Sequence, residues 1–202
     1  TTGSNAVYDI SRTGTNDDHL IFKWRIGSLF NFDFGDAPVS YGRARHTIFN
    51  TIRLGSIIDK EDFYPVTPGT RANFDDLNSV LTGNPDDEDA IAGSQILIRD
   101  TATRYTVTVP VVNTTGQTAT VAAWIDFNGN GRFDCAEVDT ARVANGGTSA
   151  TLSWTGFTWT SATDTSYMRI RISTDAAFNV ACPPDTLSAG NGEVEDYLVI
   201  KF

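Results

Sequence analysis

The residues with the clearest capacity for chemistry lie between positions 126 and 137. Asp126, Asn128 and Asn130 stand at alternate positions, Gly131 follows, and Asp134 and Glu137 complete the run. All are hard oxygen donors. The order fits the pattern D-x-[DN]-x-[DN]-G-x5-E without a mismatch, and that pattern describes a calcium loop. In such a loop Asp126, Asn128 and Asn130 supply side-chain oxygens, and Gly131 takes the sixth position, where the chain turns sharply. Arg132 offers its backbone carbonyl, Asp134 acts through water, and Glu137 closes the loop with both carboxylate oxygens. A polar Asn-Gly turn between strands is the plainer alternative. Two acids and two amides in register with the glycine favour the metal, so calcium is the expected cofactor.

A second group of acids is dispersed along the chain. Asp33 and Asp36 flank Phe34-Gly35, Asp87 and Asp89 alternate, and so do Glu193 and Glu195. Several of these brought together would form an oxygen cage suited to calcium rather than zinc. The competing reading is that Glu193, Glu195 and Asp196 form ordinary ion pairs with Arg43, Arg45, Arg169 or Arg171. Paired carboxylates also do general acid–base work on glycosides, but no spacing here singles out one acid. The two histidines, His19 and His46, are too few for a zinc hydrolase, and His46 reads as a hydrogen-bonded structural residue. No nucleophile-elbow, H-E-x-x-H or phosphate-cradling motif is found. The expectation is a protein that is not an enzyme. Trp154, Phe157 and Trp159 could stack on a sugar, although large aromatics more commonly build core. Asn113-Thr-Thr115 is a glycosylation sequon.

The elements that must position these residues are strands. Tyr105, Val107, Val109 and Val111 alternate with threonines. Residues 118–125 run into the acidic loop, and 149–154 and 167–172 alternate again, with Arg169 and Arg171 expected on the wet face. Residues 197–202 are apolar on nearly both faces and should lie centrally. The spacing predicts an all-β fold, an antiparallel β-sandwich of jelly-roll type. Residues 31–93 are rich in Asp, Gly and Pro and read as a long acidic loop region ordered by metal, preceding the strand-rich part at 94–202. Within it, 46–49 could form a short strand or turn and 75–81 a short helix. Residues 1–30 read as a separate arm of two strands. Leu20, Phe22, Trp24 and Ile26 share one face of the second strand. Exposed alone, that face would invite aggregation, so it should cover either this sandwich or a neighbouring subunit.

Composition narrows the class. The chain has 202 residues, 40% hydrophobic and 20% charged, as expected of a folded globular protein. A net charge of −10, with lysine only at 23, 60 and 201, excludes nucleic acid as the expected partner. No run is long and apolar enough for a bilayer-spanning helix, so membrane insertion is not expected. The first residue is Thr1, which reads as a processed or excised chain. Cys135 and Cys182 suit one disulfide in an extracellular or cell-surface setting.

Two further stretches sharpen the reading. Gly192-Glu-Val-Glu-Asp-Tyr197 precedes the last predicted strand. Asp33-Phe-Gly-Asp-Ala-Pro-Val-Ser-Tyr41 is followed by His46, Leu54-Gly55, Asp59 and Asp86-Asp-Glu-Asp-Ala90. With Trp124-Ile-Asp-Phe-Asn128, these motifs resemble the GEVED domain over residues 32–202. Ala90 stands where that family usually has glycine, and 62–85 departs from its acidic linker. The resemblance implies a non-enzymatic module of a secreted or surface-anchored prokaryotic protein, often found among adhesion-like modules. Three functions follow as expectations. The first is a rigid, calcium-stabilised structural or adhesive module that meets a host or cell-surface ligand. The second is a subunit of an extracellular, pilus-like fibre, a homopolymer joined by N-terminal strand donation. The third is a carbohydrate-binding module.

Overall fold

A computed structural model of the chain describes residues 32–58, 72, 88–93 and 95–202. The predicted arm at 1–30, the helix at 75–81, the divergent stretch at 62–85 and Asp87 lie outside the described residues. The described part is all-β. Its strands are β1 (Phe32–Phe34), β2 (Ala44–Thr47), β3 (Ile52–Leu54), β4 (Gln95–Ile98), β5 (Arg104–Asn113), β6 (Ala119–Ile125), β7 (Val138–Val143), β8 (Ser149–Thr155), β9 (Thr165–Ser173), β10 (Leu187–Asn191) and β11 (Glu193–Lys201). Short 3-10 turns occur at Val39–Tyr41 and Ala176–Phe178.

A five-stranded sheet, β4-β11-β9-β6-β7, is central. One face packs on the three-stranded sheet β3-β5-β8, and together they form the sandwich. Ile170, Ile172, Val121, Ala123, Tyr197 and Val199 from the first sheet meet Ile52, Leu54, Val109, Val111, Leu152 and Trp154 from the second. Alternation explains these choices, since every second residue of a strand faces the same layer. Most pairings are antiparallel, but β11–β4 and β10–β2 are parallel. The fold is thus mainly antiparallel, as expected, with two parallel pairs. Parallel neighbours need long connections, and both pairs join strands far apart in sequence.

The other face of the central sheet is covered as well, by β1-β2-β10 and the turns around it. A smaller core of Ala37, Tyr41, Ala122, Trp124, Phe133, Phe178 and Ala189 fills that side. This covering layer overturns the expected exposure of Arg169 and Arg171, both of which are fully buried. Arg169 forms a two-pronged pair with Asp196, Nε to Oδ1 and Nη2 to Oδ2, each 2.7 Å. Its Nη1 donates to the carbonyls of Gly42 and Asp185 at 3.2 and 3.1 Å. Arg171 donates through Nη1 to the Pro184 and Thr186 carbonyls, and through Nε to His46 Nε2 at 2.9 Å. Alternation placed the two arginines on one face correctly. It could not show that β2 and β10 close over that face.

The GEVED stretch begins earlier in regular structure than predicted, because β11 starts at Glu193. Gly192, just before it, has φ +140°, and a Cβ there would collide with the Ile172 carbonyl and the His46 ring. Only glycine fits that position.

Candidate metal centre

The 126–137 segment connects β6 to β7, the outermost pair of the central sheet. Asp126 follows directly from β6 and Glu137 leads directly into β7, so both are carried by the sheet rather than by the tip of the loop. Asp126 is fully buried and Glu137 nearly so. Gly129 and Gly131 both have positive φ, +70° and +76°, which folds the loop back on Asp126. Asp126 Oδ1 accepts from the amides of Gly129 at 2.6 Å and Asn130 at 3.3 Å. Its Oδ2 accepts from the Gly131 amide at 2.9 Å and from the Tyr41 hydroxyl at 2.7 Å. Glu137 Oε1 accepts from the amides of Phe127 and Asn128 at 3.0 and 3.3 Å, and from Asn128 Nδ2 at 2.9 Å. Its Oε2 accepts from the Asp134 amide at 3.1 Å. Asp134 Oδ2 receives the side-chain amides of Asn128 and Asn130 at 3.2 and 2.7 Å. The Asn130 amide donates to Asn128 Oδ1, and the Arg132 amide to Asn130 Oδ1, each at 2.9 Å. The Arg132 side chain is exposed.

Hydrogen bonds within the loop thus link Asp126, Asn128, Asn130, Asp134 and Glu137. Three carboxylates share one short segment, and among the described residues no basic side chain forms an ion pair with any of them. Burial pushes the Glu137 carboxyl up to about 7. The charges of Asp126 and Asp134 push the same way, against the amides of Asp134 and Asn128. Burial and Asp126 together hold the Tyr41 hydroxyl far above the usual phenol range. Among the described residues no three His, Cys, Asp or Glu side chains meet as a ready-made metal cluster. The expected donor set would add two Asn amide oxygens and one backbone carbonyl, and the carboxylates of Asp126 and Glu137 accept from backbone N–H groups. Hard, mixed oxygen donors with surplus negative charge fit calcium and do not fit zinc or copper.

The platform beneath the loop is aromatic. Phe127, the second loop residue, stacks on Phe157 with ring centres 3.9 Å apart, and Trp159 meets it edge-on at 5.0 Å. Trp154 lies in the main core and donates Nε1 to the Glu137 carbonyl at 2.7 Å. Of the trio considered as a sugar platform, Trp154 is buried in the main core, and Phe157 and Trp159 are half-buried against it. Ser166 Oγ donates to the Asp126 carbonyl. Cys135, inside the loop, is disulfide-bonded to Cys182 as predicted, with their Cα atoms 5.3 Å apart. The sequon residue Asn113 is buried, and its Nδ2 donates to the Gln117 and Val143 carbonyls, both at 2.9 Å. In the folded protein that amide is committed to structure.

The described members of the second group of acids do not all arrive on one side of the sheet. β11 divides them. Asp196 faces Arg169 across the strand pair, and Glu193 and Glu195 point to the opposite face, beside Ile172 and Ile170. Glu193 Oε2 accepts from the Leu54 amide, and Glu195 Oε2 from the Ala90 amide at 3.3 Å and from Tyr197 Oη. Asp89 accepts from the Ser56 amide at 2.9 and 3.1 Å. Asp33 instead reaches the Val194 amide at 2.6 Å, and Asp36 is buried on the side of Arg169 and Tyr167. Of the ion pairs considered, Arg169–Asp196 forms. His46 is structural: its Nδ1 faces the Asn191 carbonyl at 3.3 Å, its Nε2 accepts from Arg171, and burial together with the Arg171 charge holds its pKa well below the usual range.

Sequence reasoning assigned no role to Tyr41, Ser166 or the Trp154 indole N–H, although each touches the loop acids. The usable signal was general: a buried carboxylate or carbonyl requires donors, and a buried Tyr or Trp carries one.

Residues 120–200 match the family model of the GEVED domain. This stretch of the chain is similar to the GEVED domain. Its match runs from β6 through the acidic loop and both buried arginines to the end of β11. β1, β2, β3 and Tyr41 lie outside it and complete its covering layers. No curated protein gives a significant match to the chain. Among solved structures, the crystal structure of the E. coli chaperone DraB aligns with a TM-score of 0.32 and 13% identity, over 55% of this chain and 52% of the chaperone. A likeness so slight carries no argument about this chain's work.

Proposed function

We propose that this protein is a calcium-stabilised, non-enzymatic structural module of an extracellular protein, with the ion held by the 126–137 loop. The observation that carries the reading is the pair of buried carboxylates, Asp126 and Glu137, set at the roots of β6 and β7 with surplus negative charge around them. Asp126, Asn128, Asn130, the Arg132 carbonyl and Glu137 would hold the ion, with Asp134 acting through water. The ion would offset like-charge repulsion in a place where burial makes it costly. The disulfide suits an oxidising compartment, and among the described residues no helix is long and apolar enough to cross a membrane. The adhesive role, with a host or cell-surface ligand, remains part of the proposal. Strand donation in a fibre depends on residues 1–30, outside the described region.

Thermal unfolding of calcium-depleted protein tests the reading. Added calcium should raise the melting temperature, by the equivalent of about 2.7 kcal/mol at a hundredfold excess over Kd. Asp126→Ala should lower the melting temperature and remove its calcium dependence. A wild-type melting temperature indifferent to calcium would contradict the proposal.

A further inference from the structure

The segment from Asp33 to Tyr41 precedes the matched stretch at 120–200 by some eighty residues of sequence, yet it touches two acidic features of that stretch in turn. Asp33 accepts from the Val194 amide at 2.6 Å, and the Ala37 amide donates to Asp196 Oδ2 at 2.7 Å. At the far end, Tyr41 donates its hydroxyl to Asp126 Oδ2 at 2.7 Å, across a separation of 85 residues. The Tyr41 ring packs against Phe133 of the acidic loop and Tyr167 of β9, with ring centres 4.6 and 5.1 Å away. The approach is close on the backbone side as well. A Cβ on Gly131 would lie 3.3 Å from Ser40 Oγ, so the 3-10 turn at Val39–Tyr41 sits directly on the loop's tightest bend.

The hydroxyl is the informative atom. The ring alone would fill this part of the core, and phenylalanine would do that without a polar group to satisfy. A buried tyrosine needs a partner for its O–H, and here the partner is the first acid of the loop. The Gly131 amide holds the same oxygen from the other side. These two donors fix the carboxylate's orientation, as outer hydrogen bonds do for ligating groups.

The geometry points to Tyr41 as a positioning residue of the metal centre and to residues 33–41 as a strap whose docking is coupled to calcium in the loop. This rests on the calcium reading of 126–137. Coupling of this kind is reciprocal: a strap that orients Asp126 for the ion is itself held more firmly once the ion is bound. The strap also reaches Asp196, so the coupling extends from the loop to the β11 strand through one short segment.

Hydrogen exchange on the full chain, with and without calcium, tests the coupling with Tyr41→Phe, which keeps the ring and removes only the donor. In the wild type, calcium should slow exchange in both 126–137 and 36–44. In Tyr41→Phe, calcium should still slow exchange in the loop while its effect on 36–44 is lost. Calcium affinity by titration should fall about 10- to 100-fold, the range typical of lost outer-sphere hydrogen bonds. Ser40→Ala, beside Tyr41 but not bonded to Asp126, should keep the wild-type affinity and calcium response. Full calcium protection of 36–44 in Tyr41→Phe, with unchanged affinity, overturns the coupling and leaves the calcium site standing. No calcium effect on either segment of the wild type overturns both.

Discussion

Asp196→Asn removes one charge from a pair in which both partners are fully buried. Asp196 accepts two bonds of 2.7 Å from Arg169 and one of 2.7 Å from the Ala37 amide. The variant keeps the shape but leaves the buried Arg169 guanidinium without its bonded counter-charge, with the charges of Asp185 and Asp36 still acting on it. Breaking a buried pair in this way costs roughly 3–5 kcal/mol. Arg169 Nη1 keeps its carbonyl partners at Gly42 and Asp185, which places the expected loss near the lower end, about 3 kcal/mol. Typical domains have only about 5–15 kcal/mol in total, so the urea midpoint should fall visibly at saturating calcium. The double variant Arg169→Met with Asp196→Leu should recover much of that loss, since an apolar pair avoids both desolvation penalties. A cost below about 1 kcal/mol for Asp196→Asn, the range of exposed pairs, would refute the reasoning. So would a double variant less stable than the single one.

Three other outcomes follow from the structure. Cys135 and Cys182 enclose a separation of 47 residues, so replacing both by serine should cost about 4 kcal/mol in the chain-entropy model, and should weaken calcium binding because Cys135 lies in the loop. His46 is held neutral, with a folded pKa below its unfolded value. The unfolded chain therefore binds a proton first as pH falls below about 6.5, and the His46 contribution to stability is present above that pH and lost below it. Denaturation midpoints across that range should show the decline, and His46→Gln should flatten it. A chain beginning at residue 31 should still fold if residues 1–30 serve a neighbouring subunit rather than this chain's own core. Under the strand-donation reading the shortened chain should fail to form assemblies that the full chain forms in electron micrographs.

The acidic loop was legible because its residues are local: one twelve-residue register names every candidate ligand. The disulfide was legible because two cysteines in a chain of extracellular character leave little choice. Strands β5, β8 and β9 announced themselves through alternation, and β11 through a run that is apolar on nearly both faces. The three-residue strands β1 and β3 did not, since so short a run has no period to read, and β10 pairs in parallel with a strand far upstream. Arg169 and Arg171 show the deeper difficulty. On β9 they alternate with isoleucines as solvent-facing residues do. Several of the groups that receive them are backbone carbonyls of Gly42, Pro184, Asp185 and Thr186, and a carbonyl leaves no mark in sequence. The arrangement of the dispersed acids was not legible for a related reason. Their positions give charge but not the side of β11 on which each arrives, and that is decided by the layers packed above and below it.

Anomalous diffraction from crystals grown with calcium tests the central claim most directly. The account predicts one strong peak enclosed by Asp126, Asn128, Asn130, the Arg132 carbonyl and Glu137, absent in Asp126→Ala crystals grown the same way. An ordered loop with no peak at saturating calcium would contradict it.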